Sequence, residues 1–177
     1  MNRTRRGGKK HKLKIFQHFS ILGNNTAGLR AKKDSLEALI LTLRNPSCIT
    51  LQETKLGQKN QFKISKYQVF QRNRNIYGGG LLTAVDPGLN PLLVSSQNEE
   101  AEVLTVQLEV NQLKIRVING YGPQEDDTFQ NKMNFWIALD QEILSAKSEN
   151  CMVIIQMDAN AKVGRKIISA DPNNVIM

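Results

Sequence analysis

The spacing of apolar residues along the chain predicts a series of strands interrupted by two helices. Alternating or β-forming positions predict strands over residues 12–22, 48–51, 67–70, 81–85, 103–110 and 113–118, and the continuous apolar run over 152–157 predicts a strand buried on both faces. We expect Gly23 to break the first strand and Asn111-Gln112 to join the last two alternating strands as a hairpin. Strands and helices in this order indicate a layered α/β or α+β domain.

Apolar residues at helical spacing predict the two helices. The first stripe is formed by Leu29, Leu36, Leu39, Ile40 and Leu43 and ends before Asn45-Pro46. The second is formed by Phe129, Met133, Trp136, Ile137, Asp140, Ile143 and Leu144. We expect both stripes to face mostly toward a core. We also expect Glu125, Asp126 and Asp127 to begin the second helix, where acids suit the positive end of the helix dipole.

The composition supports a folded domain and excludes a membrane-spanning one. Of the 177 residues, 40% are hydrophobic and 23% are charged, which is typical of globular proteins with a core of their own. The longest apolar runs, such as residues 39–43 and 152–155, are too short to cross a bilayer. Cys48 and Cys151 are the only cysteines, so the chain has neither a disulfide framework nor a cysteine zinc site, which suits a reducing intracellular compartment.

The net charge of +8 is concentrated at the start of the chain. Residues 1–14 hold seven bases and no acid, and we interpret them as a disordered basic arm that contacts nucleic acid or serves as a nuclear import signal. A solvated start with no role is the alternative. Beyond the arm, residues 15–80 are basic and residues 81–177 are acidic. We therefore expect one domain over residues 15–177, with its basic half first.

Polar side chains occur where the predicted strands end. Asn25 follows the first strand, Glu53 the second, Tyr121 the hairpin, and Asp158 with Asn160 the last strand. Open α/β sheets place their ligand sites at the carboxyl ends of strands, although each residue taken singly is also typical of a turn, a cap or the surface. Oxygen ligands without a cluster of Cys or His suit a hard cation such as Mg²⁺, with Mn²⁺ as the alternative.

Five short motifs resemble a known family. They are NTAGLR (25–30), LQETKL (51–56), GGGLL (78–82), NGYGPQ (119–124) and MDANA (157–161). In order and spacing they resemble the endonuclease/exonuclease/phosphatase superfamily, and most of all its apurinic-endonuclease-like branch, which includes the endonuclease domains of retroelement reverse transcriptases. The resemblance covers about residues 13–165 and implies a four-layer sandwich of two mixed β-sheets flanked by helices.

The same resemblance implies a role for each polar residue at a strand end. Glu53 matches the metal-binding glutamate of the family, and Asn25 matches the asparagine beside it. Tyr121 matches the tyrosine that contacts the scissile phosphate. Asp158 matches the aspartate that orients or deprotonates the attacking water, and Asn160 matches the asparagine that holds the phosphate and that water. These roles suit phosphodiester hydrolysis, which needs a cation, a base and neutral donors.

Contacts to phosphate are expected from Gln124, which falls where the family often has a polar residue, and from a basic stretch that follows Glu53. The stretch comprises Lys55, Lys59, Lys63, Lys66, Arg72 and Arg74 and contains no acid. Such bases can hold a nucleic-acid backbone, and a solvated basic loop is the alternative. The expected partner is DNA, with RNA as the alternative.

The sequence departs from the family pattern at two places. Ala27 stands where many relatives have a second acid, and the family's downstream aspartate and late Asp-His pair have no counterpart before Met177. His11 and His18 match no motif. We therefore expect the front part of a longer domain, incomplete at its C-terminus, with an uncovered sheet edge.

The predicted function is Mg²⁺-dependent hydrolysis of phosphodiesters in DNA by an endonuclease-like domain of the retroelement type. Two alternatives remain at this stage. One is a catalytically inactive remnant that binds nucleic acid through the arm and the basic stretch. The other is a phosphatase of small phosphate esters.

Overall fold

The computed structural model describes residues 18–74, 77–94 and 101–161. Its strands are β1 (Ile21–Asn25), β2 (Cys48–Gln52), β3 (Gln68–Arg72), β4 (Leu81–Val85), β5 (Leu92–Val94), β6 (Val103–Val110), β7 (Leu113–Tyr121) and β8 (Met152–Asp158). Its α-helices are α1 (Lys33–Thr42) and α2 (Phe129–Ser148), and short 3₁₀ turns cover Arg30–Lys32 and Pro87–Leu89. None of the helices in these ranges is long and apolar enough to cross a membrane.

The strands form two mixed sheets of four strands each. The first has the order β1-β2-β4-β3 and the second the order β5-β6-β7-β8. In the first sheet β1 runs parallel to β2, with Asn25 opposite Gln52; in the second, β7 runs parallel to β8, with Tyr121 opposite Asp158. Parallel pairing brings the carboxyl ends of neighbouring strands to the same edge of each sheet.

Alternation along the strands divides the apolar core into layers. Ile49 and Leu51 point to the face covered by α1, whereas Cys48 and its neighbours pack between the two sheets. On the far side, Ile118 packs against α2 with other residues of the second sheet. The order is therefore helix, sheet, sheet, helix, and the predicted sandwich of two mixed sheets flanked by helices is confirmed.

Two buried amides cross the interior between the sheets. Gln52 in β2 donates from Nε2 to Oδ1 of Asn119 in β7 at 2.7 Å. Asn119 is completely buried and donates from Nδ2 to the Leu82 carbonyl of β4 at 3.0 Å. We call Gln52 and Asn119 the amide bridge. A buried amide is costly unless its donors and acceptors are paired, so the bridge favours one alignment of the two sheets.

Strand β1 differs from its prediction. Gly23 lies inside the strand and does not break it. A Cβ at Gly23 would lie 2.4 Å from Oε1 of Gln156 in β8, so the glycine leaves room for the Gln156 side chain against β1. Residues 12–17 of the predicted strand, and the basic arm, lie outside the described residues. Strand β5 was not predicted, because three residues carry too little pattern.

Helix α2 presents the opposite face to the one predicted. Its buried residues are Phe135, Ala138, Leu139, Glu142 and Ala146, whereas Phe129, Met133, Trp136, Ile137 and Leu144 are exposed. Ile143 of the predicted stripe is partly buried and packs against the core as expected. Both faces are apolar, and the face with two alanines lies closest to the sheet because small side chains permit close packing. The predicted acids precede the helix, and Thr128 is its N-cap, with Oγ1 accepting from Asn131 N–H at 3.2 Å.

Strand β8 is partly exposed, which contradicts the prediction of burial on both faces. Met152 is 55% exposed and Ile155 is 40% exposed. The strand has only one paired neighbour among the described strands, so one of its sides lacks the cover that a central strand receives. In α1, Leu36 and Ile40 are buried as expected, but Leu43 is largely exposed beyond the helix end.

We expect Asn119→Ala to lower the free energy of unfolding by about 2–3 kcal/mol, because the Gln52 amide loses its acceptor in the interior. Urea unfolding followed by far-ultraviolet circular dichroism measures the change. The control is Asn24→Ala, at an exposed position of β1. Equal effects of the two substitutions would show that the amide bridge contributes nothing beyond an ordinary surface asparagine.

Candidate active site

The fold gathers polar residues at one end of the sandwich. Asn25 is the last residue of β1, Tyr121 the last of β7 and Asp158 the last of β8, and Glu53 directly follows β2. Strands β1 and β2 belong to the first sheet, and β7 and β8 belong to the second. The four predicted residues therefore meet where the carboxyl ends of both sheets converge.

A side-chain hydrogen bond joins the two sheets at this end. Asn25 donates from Nδ2 to Oδ2 of Asp158 at 2.6 Å. The other end of the amide is also fixed, since Oδ1 of Asn25 accepts from the Ala27 N–H at 2.9 Å. The contact holds one carboxylate oxygen of Asp158 in a defined direction.

Glu53 lies in a backbone conformation that side-chain-bearing residues rarely adopt. Its φ is +50°, and its carbonyl accepts from the Gly28 N–H at 2.8 Å and from Thr26 Oγ1 at 3.1 Å. The next residue, Thr54, donates its N–H to the Gly80 carbonyl at 3.1 Å. The surrounding chain thus holds the Glu53 turn from both sides, as is common for strained residues at functional sites.

Tyr121 and Lys55 both contact the Glu53 carboxylate. The Tyr121 hydroxyl donates to Oε1, and Lys55 Nζ lies 3.7 Å from Oε2. Burial raises the pKa of Tyr121, and the hydrogen bond to Glu53 raises it further, whereas hydrogen bonds with Asn160 and Gln124 oppose the rise. Tyr121 is therefore a neutral donor at ordinary pH, and it lies beside Asn160 and Gln124.

The segment after β8 is held against the end of β7. Asp158 Oδ1 accepts from the Asn160 N–H at 3.0 Å, and Asn160 donates from Nδ2 to the Gly122 carbonyl at 2.6 Å. Gly122 in turn donates its N–H to the Asp158 carbonyl at 2.7 Å. These bonds restrict the directions that the Asp158 and Asn160 side chains can adopt.

A cleft of about 930 Å³ opens beside Glu53 and Tyr121. Among the predicted phosphate contacts, Gln124, Lys55, Arg72 and Arg74 line this cleft. Its wall also includes the acids Glu102, Asp126 and Asp127. The three remaining bases of the basic stretch are not brought to the cleft: Lys59 and Lys66 are exposed elsewhere, and Lys63 lines a separate cavity of about 530 Å³.

The donor chemistry of the site fits a hard divalent cation. Glu53, Asp158 and the Asn25 amide offer oxygen atoms only, and Mg²⁺ is commonly held by one or two carboxylates together with water. No group of three or more His, Cys, Asp or Glu side chains suited to a metal ion occurs in the described ranges. Glu53 and Asn25 are the residues that would hold such an ion.

Two residues that matter to this geometry were not predicted from the sequence. Asn119 interrupts an apolar strand after Val117 and Ile118, and that interruption is a usable signal for a buried polar contact. Glu102 precedes β6 and contacts the glycine turn at Gly79 and Gly80, and nothing in the local pattern of the sequence marks it.

Gly122→Ala should lower the melting temperature by about 2–10 °C. A Cβ at Gly122 would lie 2.8 Å from the carbonyl oxygen of Ala159, a backbone atom that cannot rotate away. Differential scanning calorimetry gives the shift. Gly78→Ala is the matched control, because its added Cβ meets nothing within 4 Å. A fall of the same size in both variants would contradict the close approach of the two segments.

The chain matches known proteins in its three-dimensional structure and not in its sequence. No family model matches the chain, and no curated protein matches it either. The solved structure of the 3′ phosphatase NExo from Neisseria, bound to a product DNA hairpin, has a TM-score of 0.63 and 17% sequence identity, covering 81% of this chain and 58% of that one.

Two further structures give similar values. D. rerio TDP2 complexed with a single-strand DNA product has a TM-score of 0.59 and 17% identity, covering 82% of this chain and 62% of that one. An AP endonuclease from Archaeoglobus fulgidus has a TM-score of 0.59 and 17% identity, covering 81% and 58%. The chain spans less than two thirds of the length of these three structures. These similarities show that the chain shares with the three structures a fold of two packed β-sheets flanked by helices.

Proposed function

We propose that the chain carries a metal-dependent phosphodiesterase site that hydrolyses DNA, of the apurinic-endonuclease-like kind found in retroelement reverse transcriptases. The observation that carries the proposal is the convergence of two hydrogen-bonded pairs at one end of the sandwich. Tyr121 donates to Glu53, and Asn25 donates to Asp158. Each pair joins one sheet to the other, so the site depends on the whole fold.

The arrangement suits attack of water on a phosphodiester. Asp158 is the base: it accepts a proton from water as the water oxygen bonds to phosphorus and the bond to the leaving oxygen breaks. Asn25 and the Asn160 N–H fix the direction of its carboxylate. With substrate bound, the Tyr121 hydroxyl turns its single hydrogen from Glu53 to a non-bridging phosphate oxygen, and Asn160 donates the Nδ2 hydrogen that the Gly122 carbonyl does not use. Neither donor adds negative charge. Mg²⁺ held by Glu53 and Asn25 would neutralise charge that develops on the phosphate.

The cleft favours a polyanionic substrate over a small ester. Lys55, Arg72 and Arg74 line one continuous depression next to the Tyr121–Glu53 pair, and a depression of about 930 Å³ is larger than a single phosphate requires. Bases placed along a groove neutralise successive backbone phosphates. The DNA products in the Neisseria and D. rerio structures support the same substrate class for this fold.

We expect the chain to nick supercoiled plasmid DNA in the presence of Mg²⁺, and Glu53→Ala or Asp158→Ala to lower the rate by at least about 100-fold. Gel electrophoresis of the plasmid follows the reaction. Glu109→Ala, an exposed acid of β6 outside the cleft, is the control. Salt-sensitive DNA binding without nicking would favour an inactive binding protein, and hydrolysis of soluble phosphate esters alone would favour a phosphatase.

Lys55→Gln should weaken DNA binding several-fold and reduce the slope of log affinity against log salt by about one, because one phosphate contact is lost. Lys59→Gln removes the same charge from the same basic stretch but outside the cleft, and should leave the slope unchanged. Fluorescence anisotropy with a labelled duplex measures both variants between about 50 and 200 mM salt. Equal losses in the two variants would place the DNA elsewhere than in the cleft.

A further inference from the structure

Each oxygen of the Glu102 carboxylate, in the wall of the cleft, accepts a hydrogen bond. Oε2 accepts from the Gly80 N–H at 2.8 Å, and Oε1 accepts from Arg74 Nη1 at 2.7 Å. The side chain is only 12% exposed, and the Glu102 carbonyl accepts from the Tyr121 N–H at 3.0 Å. One residue thus contacts the glycine turn, a cleft base and the strand that carries Tyr121.

The glycine turn is built around this carboxylate. Gly79 and Gly80 have φ values of +67° and +88°, and a Cβ at Gly79 would lie 2.3 Å from Glu102 Oε1. The two glycine carbonyls accept from the N–H groups of Lys55 and Thr54, both at 3.1 Å. Glu102 therefore supports the turn, and the turn supports the segment that directly follows Glu53.

Arg74 is restrained by the same carboxylate. Its side chain is 60% exposed in the wall of the cleft, and Nη1 forms a close ion pair with Glu102 Oε1 at 2.7 Å. An arginine in such a pair contributes less to a neighbouring phosphate, because its charge is already partly balanced and its direction is set. A nucleic-acid phosphate at this point of the cleft has to compete with Glu102 for the guanidinium.

We propose that Glu102 is a positioning residue with two separable actions: Oε2 holds the glycine turn that supports Glu53, and Oε1 restrains Arg74 against DNA. The first action rests on the proposed hydrolytic function, whereas the second concerns DNA binding alone. A consequence is that Glu102→Ala raises the affinity for DNA and lowers turnover, whereas Glu102→Gln raises the affinity alone.

Two substitutions at Glu102 separate the actions. Glu102→Gln keeps one carbonyl oxygen for the Gly80 N–H and places an NH₂ group against Arg74, so the turn is kept and the restraint is lost. Glu102→Ala removes both contacts. Glu109→Gln is the matched control, with the same change of charge on β6, the strand that begins directly after Glu102, seven residues and about 23 Å further along the chain.

The binding experiment is the salt dependence of anisotropy with a labelled duplex. We expect both Glu102 variants to bind several-fold more tightly than the wild type, with a slope steeper by about 0.9, since Arg74 becomes free to pair with one phosphate. Glu109→Gln should keep the wild-type slope. A wild-type slope in both Glu102 variants, or the same steepening in Glu109→Gln, would overturn the restraint of Arg74.

The positioning of Glu53 is measured by turnover and by amide hydrogen exchange at the glycine turn. In the nicking reaction, kcat should fall about 10-fold to 100-fold in Glu102→Ala and be restored to near the wild-type value in Glu102→Gln. Because the Gly80 and Gly79 carbonyls accept from the N–H groups of Thr54 and Lys55, loss of the turn should also speed the exchange of these two amides in Glu102→Ala only. Nuclear magnetic resonance follows the exchange of each amide.

The exchange measurement needs no catalysis, so it separates failure of the proposed hydrolytic function from failure of the roles given to Glu102. If the wild type does not nick DNA, the proposed hydrolytic function fails, and the exchange rates and the salt slope still decide the roles of Glu102. If the Thr54 and Lys55 amides exchange at the same rates in wild type, Glu102→Gln and Glu102→Ala, the support of Glu53 through the glycine turn is wrong.

Discussion

The amide bridge between Gln52 and Asn119 is the contact on which the geometry of the site depends. Two sheets packed through apolar side chains alone could slide by small amounts at little cost, because the hydrophobic effect has no direction. A buried amide pair has direction, and misalignment leaves a polar group unpaired in the interior. Gln52 is adjacent to Glu53, and Asn119 is two residues before Tyr121, so the bridge transmits its alignment directly to the Tyr121–Glu53 hydrogen bond.

Around that bridge, the site combines two carboxylates with neutral donors, and Lys55 is a base that contacts one of them, Glu53. Tyr121 and Asn25 contact Glu53 and Asp158 without neutralising them, which leaves both carboxylates available for a cation and a proton. Under the proposed function, a polyanion would lie along the cleft that Lys55, Arg72 and Arg74 line. Backbone phosphates would then be held by these bases, while Asp158 would be left to accept a proton.

Much of this arrangement could be predicted from the sequence, and the failures have physical causes. Short sequence motifs predicted that Asn25, Glu53, Tyr121 and Asp158 lie in one site, because the turns that follow strands restrict which residues can occur there. The buried face of α2 could not be predicted from periodicity, because both faces are apolar and Ala138 and Ala146 decide which one packs closely. Glu102 was missed because its partners are 22 and 28 residues away in the chain, and a lone glutamate before a strand carries no pattern.

The hydrogen bond from Asn25 to Asp158 also holds the two sheets together at an edge strand of each. It connects the last residue of β1 in one sheet to the last residue of β8 in the other, and both strands have a single paired neighbour among the described strands. Edge strands generally separate at a lower free energy than central ones. A small separation of β1 from β8 would turn the Asp158 carboxylate away while every central strand stayed paired. Under the proposed function, activity would therefore be lost before the core unfolds.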